Sequence, residues 1–89
     1  MPSVKLLIRG IVQGVFFRAT AKKVATSLLV AGTIKNTTEG HVEIFASGNT
    51  KQLNEFIEWC RKGPEKAKVE NVDVVPIPDR SFADFKILR

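Results

Sequence analysis

The chain has no tyrosine and only one cysteine, one histidine and one tryptophan among its 89 residues. A lone Cys60 excludes an internal disulfide, and with His41 as the single imidazole no sulfur- or nitrogen-rich metal site can be assembled. The nine acidic residues are scattered singly, which disfavours a carboxylate cage for a hard cation. No metal or other cofactor is therefore expected. No apolar run approaches the ~20 residues that a membrane-spanning helix needs. The opening MPSVKLLIRG has neither the apolar length nor the small-residue cleavage pattern of a signal peptide. These absences predict a soluble, cytoplasmic protein with no membrane partner.

What is present is ordinary globular composition, 44% hydrophobic and 26% charged, with a net charge of +5. The length predicts a single domain over residues 1–89. The positive balance suits an anionic partner, either nucleic acid or a small phosphorylated molecule, as well as plain surface solubility.

Hydrophobic periodicity gives the element order. VKLLIRGIV (4–12) reads as a largely buried strand. From Phe17 the spacing becomes helical, with Phe17, Ala21, Val24, Ala25 and Leu28 on one stripe and Lys22 and Lys23 on the wet side, running to about Val30. Gly32 is read as the helix terminator. TIKNTTEGHVEIFAS (33–47) predicts a hairpin turning at Thr38-Glu39-Gly40. A second helix starts at Asn49 or Thr50, buries Leu53, Phe56, Ile57 and Cys60, and stops at Arg61-Lys62-Gly63-Pro64. VENVDVVPI (69–77) reads as a strand whose Pro76 belongs at an edge or end, and FADFKIL (82–88) as a closing strand. The order β-α-β-β-α-β plus a short C-terminal strand predicts an α+β, ferredoxin-like sandwich, an antiparallel sheet with two helices on one face.

In this topology the C-terminal ends of the first and second strands lie at the same end of the sheet, with the third strand between them. The loop 13–18 and Asn36 are then about two strand spacings, ~10 Å, apart. The loop suits an anion. Gly14 permits unusual dihedrals, successive N–H groups in a tight turn form a concave nest, and the following helix adds its positive N-terminal end. Arg18 adds a rigid fork of donors matched to phosphoryl oxygens. Taken alone, a glycine and an arginine before a helix also describe many ordinary surface turns, and Asn36 alone describes a strand-end asparagine.

Taken together, these segments resemble the acylphosphatase family along essentially the whole chain. Gly10-Ile11-Val12-Gln13-Gly14-Val15-Phe16-Phe17-Arg18 is similar to the family's phosphate-loop signature. Gly32-Thr33-Ile34-Lys35-Asn36 is similar to its second signature, followed by Glu39-Gly40-His41-Val42-Glu43. Gly63-Pro64 before Ala67 and Val69, and the closing Phe82…Phe85-Lys86-Ile87, fit the same layout. The resemblance implies a single acylphosphatase-like domain that hydrolyses acyl phosphates to a carboxylate and inorganic phosphate. It implies that the main chain of Gln13, Gly14, Val15, Phe16, Phe17 and Arg18 cradles the phosphate, that Arg18 binds its oxygens, and that Asn36 holds the attacking water. Lys35 stands where the family often has arginine, Thr33 where an aromatic is common, and Arg89 where some members end in tyrosine.

The chemistry tolerates so sparse a site. A carboxylate leaving group has a conjugate acid of pKa about 4 and departs without a proton donor. Phosphoryl transfer of this kind asks the protein mainly for positioning and charge stabilisation. Asparagine is a poor base, so Asn36 is assigned orientation alone. The expected partners are a small-molecule acyl phosphate and its phosphate product, with no nucleic acid and a monomeric protein. Two other classes share parts of the pattern. An RNA-recognition module has the same strand order, but it needs aromatics on its two central strands, and HVEIFAS offers only Phe45. A non-catalytic anion-binding regulatory domain would use the same loop but has no need of Asn36. His41 is read as a surface residue, and Cys60 as core.

Overall fold

A computed structural model describes residues 1–88 of the chain. Its elements are β1 (Ser3–Ile11), α1 (Phe17–Ser27), β2 (Ala31–Asn36), β3 (Val42–Ser47), α2 (Thr50–Lys62), β4 (Lys68–Ile77) and β5 (Phe85–Ile87). The expected ferredoxin-like order is present, and Arg89 lies outside the described residues. Period-two alternation turns Leu6 and Ile8 of β1, Ile34 of β2 and Val42, Ile44 and Ala46 of β3 to one face, all fully buried. Phe17, Ala21 and Ala25 of α1 and Leu53, Phe56, Ile57 and Cys60 of α2 close on them in one core. Burying such side chains contributes on the order of 1.5–3 kcal/mol for each large one. Both helices therefore cover one face of the sheet.

The strands lie in the order β4-β1-β3-β2-β5. As expected, β3 runs antiparallel between β1 and β2, so the end of β1 and the end of β2 meet at one pole of the sheet. Pro76 lies on the edge strand β4, which leaves its missing N–H harmless. The expectation of an antiparallel sheet needs one amendment. β5 runs parallel to β2, with Gly32 opposite Phe85 and Ile34 opposite Ile87, so the sheet is mixed. Strand direction at this edge depends on how the 78–84 segment crosses the end of the molecule, and no local pattern records that.

The solvent face of the sheet is laced with charge. Glu43 lies 3.6 Å from both Lys5 and Lys35, and Arg9 lies 3.2 Å from Asp73. These half-exposed pairs add at most about 1 kcal/mol each, but they keep the open face polar.

Gly32 does not end α1, contrary to the sequence expectation. The helix stops at Ser27, where the Leu29 N–H donates to the Thr26 carbonyl (3.2 Å) and the Val30 N–H to the Ala25 carbonyl (2.8 Å). That is a Schellman closure, and its left-handed residue is Leu29, at φ 60°, rather than a glycine. Gly32 lies in β2 at φ 156°, where a Cβ would stand 1.8 Å from the Phe45 carbonyl oxygen of β3. The glycine is required by close backbone approach, a condition set by a neighbouring strand and invisible in the helix's own spacing.

Candidate active site

The chain between β1 and α1 is bent by its φ pattern. Gly14 has φ 73° and Phe16 φ 63°, while Val15 between them is not in the positive region. Alternation of this kind turns successive N–H groups towards one concavity. No heavy atom lies within 4 Å of where a Cβ on Gly14 would stand, so its positive φ, and not a close neighbour, is what favours glycine there. Phe16 holds its left-handed conformation while 76% exposed, so no packing compensates it. A bulky residue in that region costs on the order of 1–2 kcal/mol. The conformation is pinned by its carbonyl, which accepts from the Thr20 N–H (3.1 Å) and the Thr20 hydroxyl (2.8 Å). Phe17 begins α1 and buries its ring against Trp59 at 5.4 Å, which anchors the helix start to the core.

The N-terminus of α1 is left electrostatically bare. Phe16 occupies the cap position, so no side chain caps the first turn, and no acidic residue lies in that turn. The contrast with α2 is direct, because Asn49 Oδ1 accepts from the Gln52 N–H at 2.9 Å there. An uncapped helix start presents free N–H donors and positive partial charge. Arg18 is half-buried in the same turn, and its guanidinium has no ion pair and no hydrogen bond to any described residue.

A cleft of about 350 Å³ opens at this pole of the sheet, bordered by Gly14, Phe16, Phe17, Arg18 and Asn36. The two residues singled out from separate segments thus meet across one cavity. Asn36 Oδ1 is buried and has no hydrogen-bond partner among the described residues. Buried acceptors are normally paired, so this orphan on a residue that borders the cleft calls for an explanation. Two other predicted residues do not border the cleft. Val15 packs against the core. Gln13 turns its side chain away, and its Nε2 donates to the carbonyls of Thr37 (2.9 Å) and His41 (2.8 Å). Gln13 therefore clips the loop to the β2–β3 hairpin one residue beyond Asn36 and fixes the width of the cleft. His41 does not border the cleft; its carbonyl accepts from Gln13 and its N–H donates to the Thr37 hydroxyl (3.1 Å). Cys60 is sealed in the core, where burial pushes its thiol far above the usual range, so it is inert.

Three apolar residues on the rim, Val12, Ala19 and Ile87, were not singled out from the sequence as site residues. Ala19 follows Arg18 directly. Ile87 arrives only through the parallel pairing of β5, so its sole sequence signal was membership of the closing Phe82…Ile87 run.

Residues 4–87 match the family described as acylphosphatase. The chain belongs to the acylphosphatase family. It is 42% identical over 81 residues to the acylphosphatase of Legionella pneumophila strain Paris, covering 91% of this chain and 89% of that one. It is also 42% identical to that of Syntrophus aciditrophicus strain SB, over 99% of this chain and 93% of the relative. The crystal structure of acylphosphatase from Bacillus subtilis superposes with a TM-score of 0.96 at 31% identity, each chain covered completely. As an acylphosphatase, the protein hydrolyses the carboxyl–phosphate bond of acyl phosphates. No described helix is long and apolar enough to cross a membrane.

Removing the Gln13 clip gives a first test of this geometry. Gln13→Ala removes two hydrogen bonds whose carbonyl acceptors keep other partners, because Thr37 also accepts from Gly40 and His41 from Thr37. The expected loss is about 1 kcal/mol, a drop of ~4–8 °C in Tm on calorimetry. With the hairpin loosened, kcat is expected to fall about 5–10-fold, more than KM changes, through misplacement of Asn36. Unchanged kcat with lowered Tm would mean that the clip serves stability alone.

Proposed function

We propose that the main-chain N–H groups of the loop Gln13–Arg18 hold the phosphoryl group, that Arg18 binds its oxygens, and that Asn36 orients the attacking water. The observation that carries this assignment is the shared cleft. Arg18, whose guanidinium has no partner among the described residues, and Asn36, whose buried Oδ1 has none, border one cavity from different elements, beside an uncapped helix N-terminus. An orienting group for water must accept its hydrogens, so that a lone pair faces phosphorus, and an amide oxygen does this.

The step balances without a further residue. The water oxygen forms the new P–O bond, the acyl C(O)–O–P bond breaks on the phosphorus side, and the carboxylate leaves with the electron pair. The water's surplus proton passes to phosphate oxygen or to solvent. The side chains on the rim include no thiol, imidazole or carboxylate, so attack comes from water rather than from an enzyme nucleophile. Arg18 and the loop N–H groups neutralise charge as it builds on the phosphoryl oxygens.

We read residues 1–89 as one domain that carries this activity as a cytoplasmic monomer, needing no metal and releasing inorganic phosphate. No nucleic-acid partner belongs to this reading. On the open face of the sheet the one aromatic of the central strands, Phe45, is covered by the Arg80 guanidinium at 5.3 Å, and Glu43 stands beside it. That leaves no pair of rings for bases to stack on.

The test is hydrolysis of acetyl phosphate in excess EDTA, set against an alkyl phosphate monoester. The expected result is an undiminished rate on the acyl phosphate. The alkyl ester should react at least about 10²–10⁴-fold more slowly, since its alkoxide leaving group needs an acid that the cleft lacks. Loss of acyl phosphate turnover in EDTA would contradict the reading.

A further inference from the structure

Beyond Ala19 and Ile87 the cleft runs on into a second depression of about 580 Å³ along the outer flank of α1. Ala19 and Ile87 border both cavities. The α1 residues of the depression, Ala19, Lys22, Lys23, Thr26 and Ser27, fall at i, i+3, i+4, i+7 and i+8, a single stripe turned away from the core stripe of Phe17, Ala21 and Ala25. Ile87 faces it from β5, where it is 38% exposed although its register partner Ile34 is fully buried. The surface of the depression is almost wholly carbon despite its lysines and threonine. Lysine stems lie along apolar surface while the ammonium groups stay in water.

We propose that this groove is the acyl-chain subsite, and that the enzyme prefers acyl phosphates with an unbranched aliphatic chain of about six to eight carbons. The inference rests on the assignment of Arg18 and the 13–18 loop to the phosphoryl group. With the phosphorus at the start of α1, the acyl carbon leaves past Ala19 and Ile87, and the helix axis carries the groove onward. From Ala19 to Thr26 the helix advances about 10 Å, the reach of a medium-length chain. The order of chemistry along the site matches such a substrate from end to end. Bare N–H donors and a guanidinium come first and hydrocarbon second, with ammonium groups above to favour a net negative ligand.

The experiment is steady-state kinetics of the full chain on acetyl, butanoyl, hexanoyl and octanoyl phosphate, below any micelle concentration. A methylene half-covered by an open groove should lower KM about two-fold, so KM is expected to fall roughly ten-fold or more from acetyl to hexanoyl phosphate. Contacts this far from phosphorus act equally on ground and transition states, so kcat should stay level. Thr26→Glu, which sets a charge at the far end of the groove, should cut the octanoyl-to-acetyl ratio of kcat/KM at least about five-fold. Because each variant is compared with itself on two substrates, partial misfolding cannot imitate that change. A KM independent of chain length, with turnover intact, would overturn the subsite alone. Full turnover in Arg18→Gln would overturn the phosphate assignment beneath it.

Discussion

Arg18→Gln is expected to lower kcat/KM on acetyl phosphate by about 10³-fold, with a smaller rise, at least about ten-fold, in the inhibition constant of inorganic phosphate. The magnitude is that of removing a charged donor aimed at developing negative charge in a partly enclosed site. Glutamine keeps much of the length and some hydrogen-bonding capacity but loses the charge and the planar fork. Arg18→Lys is expected to lie between the two, because it restores charge without bidentate geometry. The structure also fixes what should not change. Arg18 has no ion pair to a described residue and is only half-buried, so Tm should stay within ~2 °C of the parent. A large loss of activity without a loss of stability separates a functional arginine from one that ties the fold together.

Asn36→Ala should show a different signature. The expected result is a fall in kcat of at least about 10²–10³-fold, with the phosphate inhibition constant within about two-fold of the parent. Positioning of a nucleophile is a transition-state contribution, and under the proposed assignment the loop and Arg18 hold the product phosphate whether or not a water is aimed. Stability should hold or rise slightly. Asn36 Oδ1 is buried with no partner, and removing an unsatisfied acceptor relieves a desolvation penalty on the order of 1–3 kcal/mol, offset by the packing lost with the side chain. A site residue that the fold would be no worse without is the usual mark of function held at the expense of stability. Full kcat in Asn36→Ala would remove the water-orienting role. It would also favour a domain that binds phosphate through the same loop for another purpose.

Much of this was legible in the chain because local chemistry and tertiary structure agree. The stripe of Phe17, Ala21 and Ala25, the cap at Asn49, the stop at Gly63-Pro64 and the turn at 38–40 each express themselves within a few residues. From these the sandwich followed, and from the sandwich followed the convergence of the 13–18 loop with Asn36, since β3 had to lie between β1 and β2. Features set by a distant partner were not legible. Gly32 looked like a helix end because its steric reason sits on β3. β5 was expected in an antiparallel sheet and runs parallel to β2 instead, and with it Ile87 went unnoticed at the rim of the cleft. Only the main chain of Gln13 was assigned from the sequence; that its side-chain amide donates to two carbonyls across the hairpin depends on partners 24 and 28 residues away. Phe16 is the opposite case. Its left-handed backbone violates local preference, and such a violation by an exposed bulky residue points to the site.

The central claim is that the main chain of residues 13–18, backed by Arg18, is the phosphate grip. It is tested most directly by titrating inorganic phosphate into the ¹⁵N-labelled protein and following its backbone amides. The account predicts saturable shifts concentrated at Gly14 to Arg18 with one dissociation constant, weakened at least ten-fold in Arg18→Gln and little altered in Asn36→Ala. Shifts centred elsewhere, or amides at 14–18 that stay fixed while phosphate inhibits turnover, would contradict it.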